Sequence, residues 1–329
     1  MEDGKVNVQS LIVIAFVYLA FSLLGIFTHV GVVLFPVFAL PFALYMVKNK
    51  PPIAVQAIFH IAMLVINCIG SNLGIIPAII YSVSVIAVAY IIVYFYNQKL
   101  ALPNFIMCVA VSLCVIVFIA LTIMKTQGID FEQSYIYYLD QIKLFNDEST
   151  KYVLANNNGQ LSSAYIEMLK QNQELIPMII NQMKVCYSYT IITVVMSVAA
   201  FIVIIFNAIL RRKNKTLSSI KELIQFRLSK IAVFIFMIST FFISSTSSNE
   251  NVMAILQLNL VSLFLWIFKV AGGLGLIGLI KGLNIGNVLK IVGYIGVVIA
   301  FNGGLLMYVL IIFSCLDAFF NFRKVEIVV

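Results

Sequence analysis

Lys269 is the first residue whose type and position could do chemistry, because it interrupts the long apolar stretch LWIFKVAGGLGLIGLIKG of residues 265–282. It lies about 18 Å of helix from Lys281, which predicts a position deep in a bilayer. An ionisable side chain at such a depth costs about 2.5–3.5 kcal/mol on insertion scales and usually faces a bundle interior or a water-filled cavity. We interpret Lys269 as a candidate ligand-path residue, with snorkelling or a structural pairing as the alternative.

His60 and Asn67 are two further polar side chains in an apolar run, and we expect them to be candidate ligand-path residues as well. For His60, the competing interpretation is that it forms hydrogen bonds between neighbouring helices. The chain has only two histidines, His29 and His60, which argues against metal catalysis. We therefore predict no metal site.

Motifs of known enzyme mechanisms are missing from the chain. There is no Walker A lysine loop and no HExxH sequence, and a single intramembrane aspartate cannot form an aspartyl dyad. The glycines of GLGLIG at 273–278 match the dinucleotide fingerprint by letter, but they lie in a membrane run without the strand that the fingerprint requires. We predict neither a catalytic residue nor a cofactor, and expect that the protein is not an enzyme.

Small residues at helical spacing dominate the same region of the sequence. On one helix they line a single face that lets another backbone come close, which is a common device for packing helices in lipid. A second such face follows in the next run. The candidate helix-packing residues are Ala271, Gly275, Gly278 and Gly282 in the first run, with Gly293 and Gly296 in the second.

Asp317 is the only acidic residue inside a predicted span, and the basic residues Arg323 and Lys324 follow it. It is predicted to lie about 9 Å nearer the cytoplasmic end than Lys269, too far for direct contact without snorkelling or helix tilt. We therefore place Asp317, Arg323 and Lys324 in a candidate cluster at the cytoplasmic edge.

The elements that must position these residues are membrane helices. Of 329 residues, 62% are hydrophobic and 10% are charged, and the mean hydropathy is +1.07. A soluble domain is about 45–50% apolar and about 25% charged. The composition predicts an all-α, polytopic membrane protein with about ten membrane helices, at 8–28, 31–47, 53–70, 77–97, 104–124, 185–210, 231–248, 252–280, 286–301 and 305–322.

The charges of the loops predict the orientation of these helices. The segment 211–230 holds seven Lys or Arg against one Glu, whereas the segment 125–184 holds five Lys against seven Asp or Glu. Because cytoplasmic loops carry excess Lys and Arg, both termini and 211–230 are predicted to be cytoplasmic. A cytoplasmic C-terminus requires two spans in 286–322, and the turn sequence Asn302-Gly303-Gly304 favours that division over one long helix.

The segment 125–184 has apolar residues at a helical period on both sides of a turn-rich centre. It predicts an extracytoplasmic pair of amphipathic helices between the fifth and sixth spans. Each apolar face must be covered by the other helix, by the headgroup region or by a partner. We therefore divide the chain into three parts: N-terminal membrane helices in 1–124, the outer pair in 125–184, and C-terminal membrane helices in 185–329.

The C-terminal sequences GGLGLIGLIKG and CLDAFFNFRK, together with FRLSK at 226–230, resemble the YybS-like family of uncharacterised bacterial multi-pass membrane proteins. The resemblance covers most of residues 200–329. Ser229 stands where that family tends to have Pro, and Asn321 where it tends to have Asp. The resemblance implies a similar topology and a bacterial cytoplasmic membrane, but it carries no known chemistry.

The N-terminal portion is similar in style to the substrate-capture subunits of energy-coupling-factor transporters, and this resemblance implies a partner membrane or ATPase subunit. Those subunits dock through an Ala-x-x-x-Ala pattern, whereas Ala15 and Ala20 are five residues apart here. We expect a small-molecule-binding or transport component that contacts the lipid bilayer and no nucleic acid. The alternative is a scaffold that docks protein partners through the outer pair or the basic loop 211–230.

Overall fold

The computed structural model describes residues 29–70, 74–155, 162–212, 220–243, 252–302 and 304–323. The span predicted at 8–28 lies outside these residues, and so does Lys324. Within the described ranges the fold is all-α, as predicted, with eleven α-helices: α1 His29–Asn49, α2 Ile53–Gly70, α3 Ile75–Asn97, α4 Leu102–Thr126, α5 Phe131–Ala155, α6 Ser163–Val185, α7 Tyr187–Arg211, α8 Lys230–Ile243, α9 Val252–Gly282, α10 Asn287–Asn302 and α11 Met307–Phe320. A short 3₁₀ segment, Ile220–Gln225, precedes α8.

Four of the described helices are long and apolar enough to cross a membrane. They are α3, α4, α7 and the Ile255–Gly282 part of α9. Shorter apolar helices lie in α2, α8, α10 and α11. Length and composition therefore agree with a helical membrane protein, whereas the number of ten spans stays a prediction.

Two helices occupy the ambiguous stretch 286–322, with a turn at 304–306 between them. The helices, α10 and α11, pack against each other. They contain 16 and 14 residues, so each is only about 21–24 Å long at 1.5 Å per residue. Each is shorter than a hydrocarbon core of about 30 Å.

The described residues group into two compact units, one formed by 123–192 and 235–264 and the other by the rest of the chain. In the larger unit, α1 and α2 each pack against α3. Side chains of α1 and α3 are fully or almost fully buried there, since Phe42 is 2% exposed and Val85, Val88 and Ile92 are 0% exposed. These helices position His60 and Asn67 on α2.

In the smaller unit, α5 packs against α6. The side chain of Asp130 caps the start of α5, since its Oδ1 accepts hydrogen bonds from the backbone N–H groups of Glu132 and Gln133. The hydrogen bond from Gln133 is the main reason that the pKa of Asp130 lies below its ordinary value, and Lys125 adds to the effect. Ser162 caps α6 in the same way through its hydroxyl.

Candidate functional site

Lys269 lies in the middle of α9, where its ammonium group faces the aromatic ring of Phe301 on α10. Its Nζ is 4.3 Å from the centre of that ring. A ring face attracts a cation, so the contact stabilises a charge in a segment that is long and apolar enough to span a membrane. No carboxylate of the described chain forms a salt bridge with Lys269. Among these residues, the Phe301 ring is therefore the partner of its ammonium group.

Gly273 lies one turn after Lys269 and contacts the same neighbour. A Cβ atom at Gly273 would lie 3.7 Å from Val297 and 3.8 Å from Phe301. These are ordinary packing distances, so α10 lies directly against this face of α9. Phe301 thus packs beside the glycine and reaches Lys269 from the same side.

Asp317 is bound to Arg323 rather than to Lys269. The carboxylate oxygen Oδ2 of Asp317 accepts hydrogen bonds from Nε of Arg323 at 3.1 Å and from its Nη2 at 2.6 Å. The two side chains are 3% and 5% exposed. The Asp317–Arg323 pair is therefore a buried, charge-assisted interaction. Its position at a cytoplasmic edge stays a prediction.

Arg323 also binds the segment that precedes α8. Its Nη1 donates to the carbonyl of Ile224, and its Nη2 donates to the carbonyl of Phe226 at 2.8 Å. The chain turns back after α11 at Asn321, which has the left-handed backbone angles φ 49° and ψ 54°. Asparagine is enriched in that conformation. One guanidinium group thus joins the end of α11 to the 3₁₀ segment.

The glycines of α9 make room for this arrangement. A Cβ atom at Gly272 would overlap the backbone carbonyl of Leu310 on α11. At Gly275 it would lie 2.8 Å from Phe313 and 3.5 Å from Arg323, and at Gly278 it would lie 2.5 Å from Ile224. These positions therefore admit α11, Arg323 and the 3₁₀ segment, which is what the glycine-rich stretch does in the fold.

The remaining small residues of the two predicted helix-packing faces differ in their surroundings. Ala271 is buried, with 4% of its surface exposed. A Cβ atom at Gly293 would lie 3.1 Å from Ile280, which places α9 and α10 close together there. At Gly282 and Gly296 such an atom would meet nothing within 4 Å among the described residues. The periodicity thus includes positions that border no neighbour in this part of the chain.

His60 belongs to a chain of polar groups that joins α2 to α3. The Tyr90 hydroxyl donates to the side-chain oxygen of Gln56 at 2.7 Å, and the Nε2 atom of His60 lies 3.2 Å from the same hydroxyl. Because the Tyr90 proton is directed to Gln56, Nε2 of His60 is the donor in its own contact. Phe42 of α1 packs edge-on against the imidazole. His60 is thus engaged between helices, the alternative that the sequence left open.

Asn67 is fully buried between α2 and α3. Its Nδ2 donates to the hydroxyl of Ser82 at 2.8 Å, and that hydroxyl donates to the carbonyl of Ala78 at 2.8 Å. Asn67 and His60 both face α3, through separate hydrogen-bond groups. The structure brings neither of them into a described contact with Lys269.

Asn259 has a role that the sequence did not reveal. It lies on α9, and its side-chain amide contacts the junction between α6 and α7. Its Oδ1 accepts a hydrogen bond from the N–H of Tyr189 at 2.9 Å, and its Nδ2 donates one to the carbonyl of Val185 at 3.0 Å. Tyr189 N–H and Val185 C=O are four residues apart and would bond to each other in a continuous helix. Asn259 therefore bridges a break in the helical ladder.

The described residues hold no group of three or more His, Cys, Asp or Glu side chains that could bind a metal ion. All five cysteines lie within the described ranges and are free thiols.

The chain matches no protein-family model, no curated protein and no solved structure. The resemblance to the YybS-like family and to energy-coupling-factor subunits therefore stays a prediction from the sequence.

Proposed function

We propose that the protein is a multi-pass component of a bacterial cytoplasmic membrane that binds or moves a small molecule along a path beside Lys269. The observation that carries the proposal is a lysine at mid-helix in α9 whose only described partner is an aromatic ring. Ionisable groups inside membrane helices are rare and commonly mark ligand or ion pathways.

The contact with Phe301 supports a ligand that bears an anionic group. A cation on a ring face keeps N–H donors free, because the ring occupies one side of the ammonium group and the three N–H bonds point in different directions. A carboxylate or phosphate approaching from the other side gains a charge-assisted hydrogen bond in a low-dielectric setting. Gly273 lies against Phe301 on the same face of α9.

Native mass spectrometry of the protein in gentle detergent tests this proposal, since it reports a co-purified small molecule. We expect a bound mass with the wild-type chain and its loss in Lys269→Met. The variant should still fold, because methionine has a similar shape and removes a charge that costs about 2.5–3.5 kcal/mol to insert. Lys269→Arg keeps the charge and should retain part of the bound mass.

Lys290→Met is the matched control. Lys290 lies near the start of α10, where its side chain is partly exposed and its Nζ donates to the carbonyl of Lys281 at 3.3 Å. The same charge is removed there without touching Phe301. Retention of the ligand by Lys269→Met, or its equal loss from Lys290→Met, would overturn the assignment of the path to Lys269.

A further inference from the structure

The α5–α6 pair keeps large uncovered faces even though its two helices pack together. The residues that the pair buries are few: Leu139 and Thr150 on α5 and Ile180 on α6. On α5, a separate exposed face carries four aromatic side chains, Tyr137, Tyr138, Phe145 and Tyr152, which are 64–74% exposed. Mutual packing of the pair therefore satisfies only part of its apolar surface.

The second helix has an uncovered stripe of its own. Met168, Leu175, Ile179 and Met183 are 41–53% exposed and follow one another at spacings of seven, four and four residues. Such spacings place side chains on one face of a helix. The stripe and the aromatic face of α5 are together too extensive to be scattered surface residues, which occur singly on most proteins.

Both helices are tied to membrane helices at one end. Four residues separate Thr126, the end of α4, from the start of α5, and one residue separates α6 from α7. The rings of Tyr135 and Tyr187 lie 5.3 Å apart, and Lys184 forms a 2.6 Å salt bridge with Asp140. The base of the pair is thus held beside the ends of α4 and α7, which are both candidate spans.

The length of the two faces distinguishes a pair that stands away from the bilayer from a pair that lies along its surface. Tyr137 and Tyr152 are 15 residues apart, as are Met168 and Met183, which is about 22 Å along a helix. The headgroup region is only about 5–8 Å thick on each side of the hydrocarbon core. A pair standing away from the bilayer would leave most of these side chains in water, whereas a pair lying along the surface with these faces toward the lipid would cover them along their whole length.

We infer that the α5–α6 pair lies in the headgroup region of the bilayer, with the aromatic face of α5 and the apolar stripe of α6 as its contact surface. Tyrosine fits this location because its ring is apolar and its hydroxyl reaches water, which explains its enrichment at membrane interfaces. The membrane is within reach at the base of the pair, where α5 follows α4 and α6 leads into α7. This surface is independent of Lys269.

Tryptophan fluorescence in vesicles tests the inference. The chain has one tryptophan, Trp266, so Trp266→Phe gives a silent background. Phe145→Trp and Leu175→Trp then place a reporter on each face, and both positions are more than half exposed. The vesicles are phosphatidylcholine and phosphatidylglycerol at three to one, with a nitroxide on a fraction of the lipid headgroups.

We expect headgroup nitroxide to quench both reporters at least twofold more than a reporter at Lys170→Trp. Lys170 is an exposed position of α6 that lies off the apolar stripe. Aqueous iodide should give the opposite order. Equal quenching at all three positions would overturn the inference, as would shielding of F145W and L175W from both lipid and iodide, which would indicate that protein covers these faces.

Discussion

At the scale of single residues, the buried pair of Arg323 and Asp317 leads to a specific prediction about the stability of the fold. Arg323→Met removes the charge that pairs with Asp317 and two donors to the carbonyls of Ile224 and Phe226. Breaking a buried ion pair from one side costs about 3–5 kcal/mol, because the other charge stays buried without compensation. We expect a loss of that size in the free energy of unfolding, measured by denaturation in mixed micelles.

The double variant Arg323→Met with Asp317→Leu separates the contribution of the ion pair from that of the carbonyl contacts of Arg323. It leaves no unpaired carboxylate, and well-packed apolar replacements of buried ion pairs are often close to neutral. The double variant should therefore recover a large share of the stability that Arg323→Met loses. If both variants are equally unstable, the carbonyl contacts of Arg323 rather than Asp317 account for its contribution.

The residue types at this site were visible in the sequence, but their partners were not. Lys269, Asp317 and Arg323 stand out because a charge in an apolar run is expensive and therefore informative. The carbonyls of Ile224 and Phe226 have no such signal, since every residue carries a carbonyl group. Asn259 is a polar residue in an apolar run, but only the folded structure shows that it bridges Val185 and Tyr189.

At the scale of helices, Gly272 and Gly296 give a matched test of close packing. Gly272→Ala places a methyl group against the backbone of Leu310, so α9 and α11 must move apart. Overpacking of this kind costs about 1–3 kcal/mol. Gly296→Ala meets nothing within 4 Å among the described residues, and alanine favours a helix over glycine by about 0.5–1 kcal/mol. Thermal unfolding in detergent should thus show opposite shifts.

The opposite signs are the essential part of this prediction. Destabilisation by Gly296→Ala would mean that this glycine also borders a neighbour, such as a second copy or a residue outside the described ranges. A neutral Gly272→Ala would contradict the close approach of α9 and α11.

The periodicity of small residues predicted the kind of surface that α9 presents, but not which positions contact a neighbour. Gly275 and Gly278 border Arg323, and Gly272, which lies off the predicted stripe, makes the closest approach to another helix. Spacing alone identifies a face of a helix, whereas the partner depends on the path of the whole chain. Turn residues were more informative, since Asn302-Gly303-Gly304 correctly marked the boundary between α10 and α11.

At the scale of the molecule, hydrophobicity explains why the fold class could be read from the sequence. Backbone polar groups cannot be left unpaired in lipid, so long apolar runs form helices that satisfy their own hydrogen bonds. The number of spans is harder to read, because α10 and α11 are each too short to cross a bilayer core without local adjustment. Hydropathy gives the length of an apolar run, but it does not show how far the resulting helix extends across the bilayer.

Orientation is the property on which the predicted depths of Lys269 and Asp317 rest, and cysteine labelling tests it. In a chain with its five cysteines replaced, Glu167→Cys reports on the α5–α6 pair and Arg212→Cys on the end of α7; both positions are exposed. Since the excess of Lys and Arg predicts a cytoplasmic 211–230, an impermeant maleimide should label E167C in intact spheroplasts, but R212C only after permeabilisation. Labelling of both from outside would place the basic segment across the membrane and reverse the order of depths along α9.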